Sequence, residues 1–202
     1  MGCAHHPHAA HGDGHFDDAD AWALAFEDPS RDTWQRPDEV IAALGLTLET
    51  RIADIGAATG YFPVRFAKLA AKVYGVDIEA AMVDYLTKRA EREGLSNLVA
   101  VLGTSTDAKI PQPVDIVTVI DTYHHIENRP AYFAALKRSI SPRGRLAIID
   151  LRMGSKRGPP DEAKVPPEQV TSELAEAGYT LETQHGFLAD QYFLIFKLAD
   201  QR

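Results

Sequence analysis

Cysteine is almost absent from this chain of 202 residues: Cys3 is the only one, so no internal disulfide can form. Long apolar runs are missing too, and no stretch approaches the roughly 20 residues that a membrane-spanning helix needs. A signal peptide would show a basic segment followed by an apolar one, and the N-terminus has neither. We therefore expect a cytoplasmic protein. A trimmed lipoprotein is the alternative, since Gly2-Cys3 resembles a lipoprotein cleavage site.

Positive charge is also in short supply. Lys and Arg number 21 against 29 Asp and Glu, which gives a formal net charge of -8. A protein that binds nucleic-acid backbones needs a basic face, so we expect no nucleic-acid partner. Hydrophobic residues make up 45% and charged residues 25%, the balance of an ordinary globular protein. The length suits a single domain, which we place at residues 16–202.

Residues 1–15 differ in composition from the rest of the chain. They contain Gly, Ala and Pro together with the histidines His5, His6, His8, His11 and His15. This segment has no apolar pattern to pack, so we predict a flexible N-terminal tail. The histidine spacing matches no closed four-ligand set, and we therefore predict no metal site. A metal-binding tail is the alternative, because imidazole suits Zn, Ni or Cu.

From residue 51 onward, predicted strands and helices alternate. The predicted helices in this part are 61–71, 79–93, 129–140 and 167–177. A short helix that begins after Pro37, at 38–44, precedes the first strand. The predicted strands are 51–55, 72–78, 97–103, 114–122, 144–151, 179–185 and 192–198. Such alternation predicts an α/β fold, with a mostly parallel seven-stranded sheet and helices on both faces. The last two strands are too close for a helical crossover, so they should pair antiparallel.

The most informative segment follows the first predicted strand, from Asp54 to Gly60. Its glycines, Gly56 and Gly60, allow a tight turn and a close approach to a ligand. The spacing G-x-x-x-G differs from the G-x-G-x-x-G of dinucleotide-binding loops, and Asp54 would repel a pyrophosphate. A second acid, Asp77, ends the next strand, where a carboxylate can accept both hydroxyls of a ribose. Each acid alone would suit a helix N-cap, but the pair around a glycine loop favours a positively charged nucleoside ligand.

The segment 54–60 resembles the first motif of class I S-adenosylmethionine (SAM) dependent methyltransferases, and Asp77 resembles their ribose-binding acid. Residues 113–117 resemble the strand that leads to the catalytic edge in that family, and residues 141–146 resemble a later conserved turn. Residues 121–125 look most similar to the small UbiE-like group. The resemblance implies a Rossmann-like methyltransferase fold and SAM as the cofactor.

The resemblance also implies the residues that contact the cofactor. An adenine contact is expected from the loop after the third strand, where Thr104 and Asp107 are both candidates. Trp34 corresponds to a segment that often covers the methionine end, and its alternative is a core tryptophan that packs on the helix at 38–44. The other expected cofactor-binding residues are Asp54, Gly56, Ala57, Gly60, Asp77, Ile78 and Asp121.

Residues that follow the fourth and fifth strands should face the acceptor, because ligands of open α/β sheets bind beyond the carboxyl ends of the strands. We predict that His124 or His125 acts as a general base and that Tyr123 shapes the pocket. The alternative is that both histidines brace the following helix. Arg152 is a candidate partner for a substrate carboxylate or a surface arginine, and Tyr192 is a candidate pocket residue.

The sequence thus predicts a SAM-dependent methyltransferase that acts on a nucleophilic N, S or O atom of a small polar metabolite, and an amino-acid-like acceptor is one option. Alternatives are C-methylation of a quinone-type ring, as in the UbiE-like group, and a SAM-binding or metal-handling protein without catalysis. We expect no membrane span, and either a monomer or a homodimer.

Overall fold

The computed structural model describes residue 23 and residues 27–199 of the chain. The predicted tail at residues 1–15 lies outside the described residues. Seven strands form one sheet: β1 Arg51–Ile55, β2 Lys72–Asp77, β3 Leu98–Leu102, β4 Val114–Ile120, β5 Ile140–Leu151, β6 Tyr179–His185 and β7 Gln191–Leu198.

The order of strands across the sheet is β3-β2-β1-β4-β5-β7-β6. Strands β1 to β5 pair in parallel, whereas β7 runs antiparallel to both β5 and β6. The predicted α/β fold with a mostly parallel seven-stranded sheet is confirmed. Strand order reverses between β1 and β4, and this is the point where open α/β sheets bind their ligands.

Six α-helices accompany the sheet in the described residues: α1 Arg31–Gln35, α2 Pro37–Leu44, α3 Pro63–Phe66, α4 Ala80–Arg92, α5 Arg129–Leu136 and α6 Pro167–Glu176. Apolar residues of α2, α3 and α4 pack on one face of the sheet. Those of α5 and α6 pack on the other face. The central strand β4 is buried along almost its whole length, as expected for a strand covered on both faces.

Two of the predicted helix boundaries are wrong in an informative way. The helix expected at 61–71 spans only Pro63–Phe66, and Leu69 is 43% exposed instead of packing on the predicted apolar face. The side-chain amide of Asn97 donates to the carbonyls of Ala67 and Ala70, at 2.8 Å each. These carbonyls after the helix are therefore satisfied by a side chain and not by a further helical turn. The helix expected at 129–140 stops at Leu136 because β5 begins earlier, at Ile140.

Within the described part of the chain, no helix is both long and apolar enough to cross a membrane.

Candidate active site

The loop between β1 and α3 holds its glycines in the left-handed region of backbone space, with φ of 77° at Gly56 and 94° at Gly60. A Cβ atom at Gly56 would lie 2.1 Å from Oγ1 of Thr122, which follows β4. At Gly60 it would lie 2.4 Å from Cδ1 of Leu86. Glycine is therefore required at both positions, by conformation and by space. The loop is packed tightly against the ends of its neighbours and keeps its backbone close to the crevice.

Asp77 ends β2 and fixes this loop from the side. Its Oδ2 atom accepts the backbone N–H of Ala58 at 2.9 Å, and its Oδ1 atom accepts the N–H of Glu79 at 3.0 Å. Burial raises the pKa of Asp77, and these backbone hydrogen bonds lower it in part. An ionised carboxylate has about four acceptor positions, so not all of them are taken and a hydroxyl group of a ligand can still donate to Asp77.

Asp54 lies beneath the loop and is 4% exposed. Its Oδ1 atom accepts the hydroxyl of Thr118 on β4 at 2.6 Å. Burial raises the pKa of Asp54 to about 7, although the Thr118 hydrogen bond and the positive charge of Arg31 lower it. A carboxyl group poised in this way is well suited to a ligand that brings positive charge.

Asp121 follows β4 in a left-handed conformation, with φ of 52°. Its carboxylate accepts the amide of Gln35 at 2.9 Å and that of Gln191 at 2.6 Å, and Nη2 of Arg31 lies 3.8 Å from Oδ2. Burial and the nearby charge of Asp150 raise the pKa of Asp121. Helix α1, which carries Arg31 and Gln35, is thereby tied across the end of the sheet.

Thr104 and Asp107 face each other in one tight turn after β3. The backbone N–H of Thr104 donates to the Asp107 carbonyl at 2.8 Å, and the N–H of Asp107 donates to Oγ1 of Thr104 at 3.0 Å. The Asp107 carboxylate also pairs with Arg138 at 2.7 Å. The turn brings both predicted adenine contacts to the same place, and both stay predictions.

The comparison with known proteins bears directly on this arrangement. The sequence model of a family described as a methyltransferase domain matches residues 46–192, well over half of the chain. The crystal structure of a SAM-dependent methyltransferase from Aquifex aeolicus superposes with a TM-score of 0.80 at 25% identity, over 87% of this chain and 96% of that one. This chain belongs to the class I SAM-dependent methyltransferases.

Two curated relatives show how the methyltransferase domain is used elsewhere. The mitochondrial ubiquinone biosynthesis O-methyltransferase of Schizosaccharomyces pombe is 27% identical over 100 residues, which cover 48% of this chain and 36% of that protein. The erythromycin 3''-O-methyltransferase of Saccharopolyspora erythraea is 28% identical over 167 residues, covering 70% of this chain and 54% of that protein. The chain thus spans about a third to a half of the length of these relatives.

The residues present fit SAM, the cofactor of this family. The Gly56–Gly60 loop has no room for a Cβ atom at either glycine, so its backbone stays close to the ends of β1 and β2, and Asp77 lies beside it with its carboxylate on the N–H of Ala58. The Asp54 carboxyl lies buried next to the same loop and matches a positively charged ligand. Ala57, a further predicted contact, is buried and donates its N–H to the Val76 carbonyl at 2.9 Å, so it helps to hold the loop on β2.

The two adjacent histidines, His124 and His125, differ in burial and in their contacts. Nδ1 of His124 lies 2.9 Å from both carboxylate oxygens of Asp150, and the backbone N–H of His124 donates to the same carboxylate at 3.1 Å. The side chains of this pair are only 6% and 2% exposed. His125 is exposed, and its ring centroid lies 4.1 Å from that of His124. The Asp150 carboxylate therefore fixes the ring of His124, and the role of a general base stays a prediction.

The predicted pocket roles of Tyr123 and Tyr192 are wrong, because both side chains lie in the core. The hydroxyl of Tyr123 donates to Glu173 on α6 at 2.7 Å, and its ring stacks on Phe133. The hydroxyl of Tyr192 donates to the carbonyl of Val165 at 3.0 Å. Both rings are fully buried on the face of the sheet that α5 and α6 cover.

The remaining predicted site residues lie at the surface around the crevice. Trp34 on α1 is half-buried, with the guanidinium of Arg157 4.7 Å from its ring centroid. Arg152 follows β5 and is half-buried, while its backbone N–H donates to Asp190. Ile78 is 58% exposed next to Asp77, as a residue that covers a bound adenosine would be.

Sequence reasoning missed the polar residues that surround Asp121 and His124, namely Arg31, Gln35, Asp150 and Gln191. Asp150 had a usable signal, since a lone acid at the end of a buried strand needs a partner. The two glutamines had none, because they meet only after α1 and β7 have been placed. No three His, Cys, Asp or Glu side chains come together as a metal site in residues 23 and 27–199.

Proposed function

We propose that this methyltransferase transfers the methyl group of SAM to a nucleophilic nitrogen, sulfur or oxygen atom of a small polar metabolite, with His124 as the general base. Relatives with the same domain carry the names of O-, N- and quinone methyltransferases. Similarity to these relatives therefore does not identify the acceptor. The choice of acceptor has to rest on the side chains of this chain. The side chains that contact Asp121 at the end of β4 are polar, namely Arg31, Gln35 and Gln191, and His124 follows three residues later.

The contact between His124 and Asp150 carries the proposal. An ionised Asp150 accepts a hydrogen bond from Nδ1–H, which fixes the neutral tautomer with Nε2 as the acceptor of a proton. Asp150 is itself held by the backbone N–H of Leu151 at 2.7 Å, so the imidazole cannot turn freely. A base oriented by a buried carboxylate is the usual arrangement for assisted nucleophilic attack.

SAM, when bound, supplies an electrophilic methyl group on its sulfonium sulfur. Loss of that methyl group leaves a neutral thioether. The chain's own part is to align and to deprotonate. The Gly56–Gly60 loop and Asp77 hold the adenosine, and Asp54 lies beside the loop. Nε2 of His124 would take up the N–H, O–H or S–H proton that the acceptor atom loses when it receives the methyl group. Alignment of the acceptor with the methyl group supplies the rest of the rate.

The test combines a screen with matched variants. SAM with a labelled methyl group is incubated with metabolite pools, and the labelled product is isolated and identified. His124→Ala should then reduce kcat about 10²–10⁴-fold, with little change in SAM affinity. Asp150→Asn should reduce kcat as well, because it removes the carboxylate that fixes the tautomer. His125→Ala is the control and should keep turnover near the wild-type rate.

Three outcomes would contradict the proposal. Full turnover in both His124→Ala and Asp150→Asn would leave a site that works by positioning alone. Label that enters only a lipid-soluble ring compound would favour the quinone alternative. SAM binding without turnover on any pool would favour a SAM-binding protein without catalysis. A melting temperature for each variant separates loss of the base from loss of the fold.

A further inference from the structure

Gln191, the first residue of β7, is a fully buried amide with one unpartnered end. Its Nε2 atom donates to Oδ1 of Asp121 at 2.6 Å. The Asp121 carboxylate also accepts the amide of Gln35 and lies 3.8 Å from the Arg31 guanidinium, so the end of the Gln191 amide that faces it is assigned as the nitrogen. The Oε1 atom then has no hydrogen-bond partner among the described residues. Buried polar atoms without a partner are rare and need a reason.

Gln35 provides a direct comparison, because it makes the same kind of contact from the other side. Its Nε2 atom donates to Oδ2 of Asp121 at 2.9 Å, and its Oε1 atom accepts a hydrogen bond from Nε of Arg31. Both ends of Gln35 are thus satisfied. The Asp121 carboxylate therefore accepts hydrogen bonds from two amides. Of these two, only Gln191 has an amide oxygen without a hydrogen-bond partner.

The chemistry of this place selects a hydrogen-bond donor. The amide oxygen of Gln191 and the carboxylate of Asp121 are neighbouring acceptors, so a ligand between them has to bring N–H or O–H groups, and a positive charge is favoured. The guanidinium of Arg31, 3.8 Å from Oδ2 of Asp121, provides a positive group for an anionic part of the same ligand. One ammonium and one carboxylate within a short distance describe an α-amino acid.

The position in the sheet favours the acceptor over the cofactor as the source of that group. The cofactor loop and Asp77 follow β1 and β2, on one side of β4. Gln191 opens β7, which lies beyond β5 on the other side of β4. Gln191 pairs with Leu151 of β5, next to Asp150, so it lies at the same end of the sheet as the contact between Asp150 and His124, although its side chain points to the other face.

We propose that Gln191 Oε1 and the Asp121 carboxylate bind the ammonium group of an α-amino acid, and that this amino acid is the methyl acceptor. The inference rests on the proposed function, since an acceptor is needed only by an active methyltransferase. The methionine part of SAM carries the same ammonium group, so the experiment has to separate the two sources.

The experiment measures binding to wild type, Gln191→Met and Gln35→Met by calorimetry and thermal shift. One arm titrates S-adenosylhomocysteine (SAH) and 5'-methylthioadenosine, which lacks the amino-acid part. The other arm titrates a panel of L-amino acids with SAH at saturation, each against its deaminated acid, such as L-phenylalanine against 3-phenylpropionate. We expect one or more L-amino acids to bind the wild type at least tenfold more tightly than the deaminated acid.

Gln191→Met should lose that preference by about tenfold or more, the size of one hydrogen bond to a charged group. Gln35→Met also removes one donor to Asp121 but no unpartnered oxygen, so it is the matched control and should keep most of the preference. Both variants remove one donor to Asp121, but ligand-free Gln191→Met should lower the melting temperature less than Gln35→Met, because it also removes an unpartnered buried oxygen. A purely structural Gln191 would reverse the order of these two melting temperatures.

The remaining outcomes are decisive as well. If Gln191→Met weakens SAH but not 5'-methylthioadenosine, and no amino acid binds, the ammonium subsite exists but belongs to the cofactor. If Gln191→Met changes neither arm, the oxygen holds an ordered water only and the proposal is overturned. If the wild type binds neither SAH nor 5'-methylthioadenosine, the proposed function fails, and the amino-acid panel without SAH still decides the subsite.

Discussion

Asp54 is a buried carboxyl group whose charge depends on what binds beside it. Burial places its folded-state pKa at about 7, far above the ordinary value of 3.8. In the unfolded chain the group ionises near pH 4, whereas in the folded protein it keeps its proton until about pH 7. This difference therefore favours the folded state below about pH 4 and is lost as the pH rises to about 7. A ligand with a positive charge reverses the preference, because it stabilises the ionised form.

Cofactor affinity should consequently depend on pH through Asp54. We expect the affinity for SAH, which carries an ammonium group, to rise by up to about tenfold per pH unit between pH 5 and 7 and to level off above that. Calorimetry in buffers of different ionisation enthalpy should show release of one proton near pH 6. Asp54→Asn should flatten the profile, since the asparagine oxygen still accepts the Thr118 hydroxyl but no longer ionises.

Asp77→Asn is the matched control for that experiment. It should weaken SAH through the lost ribose contact, by about 1–3 kcal/mol, and keep the slope with pH, moved to lower pH because the charge of Asp77 raises the pKa of Asp54. An unchanged slope in Asp54→Asn would assign the proton to another group, with Asp121 as the next carboxyl to test.

At the scale of elements, the segment that presents His124 is anchored from below by α6. Glu173 on α6 accepts hydrogen bonds from Nε of Arg129 at 2.6 Å, from Gln169 at 2.7 Å and from the Tyr123 hydroxyl at 2.7 Å. Although burial raises the pKa of Glu173, these donors together hold it at about 2. The short helix Tyr123–His125 therefore depends on contacts on the far side of the sheet from Gln35 and Gln191.

Glu173→Gln should reduce the free energy of unfolding at pH 7 by about 1–3 kcal/mol, because it removes the charged acceptor from three donors. The lowered pKa makes this stabilisation complete above about pH 4.5 and lost as the pH falls towards 2. Urea unfolding at pH 7 and pH 3 should therefore show a smaller difference between variant and wild type at the lower pH. Glu176→Gln, an exposed position on the same helix, should change little at either pH. Equal losses in the two variants would refute the anchor.

The elements also show where sequence reasoning reaches its limit. Alternating apolar strands and helices were enough to predict the sheet, and a glycine loop between two acids was enough to predict the cofactor edge. Tyr192 and Gln191 are neighbours in β7, and their side chains point to opposite faces because strands alternate. The sequence shows this alternation but not which of the two contacts Asp121, because that depends on how β7 pairs with β5. Gln35 and Gln191 meet through Asp121 from opposite ends of the chain, and no local pattern carries that information.

At the scale of the whole molecule, the parts of the methyltransferase that we connect with function begin at α1. The family match starts at residue 46, and the sheet runs from Arg51 to Leu198. Residues 1–15 are rich in histidine and have no apolar pattern, so we propose that they are dispensable for folding. Removal of residues 1–15 therefore distinguishes two hypotheses: a methyltransferase that carries a tail, and a metal-handling protein in which the tail is the active part.

A truncated chain that begins at Phe16 should keep the wild-type melting temperature within about one or two degrees and keep its SAH affinity, since it removes no apolar pattern that could pack. A second truncation that begins at Pro37 is the control. It removes Arg31 and Gln35, leaves the Asp121 carboxylate without two of its partners, and should lower both quantities. Melting curves with and without a chelator complete the test. A drop of many degrees on removal of residues 1–15, reproduced in the full chain by the chelator, would mean that the histidines hold a structural metal, because metal binding then contributes directly to folding.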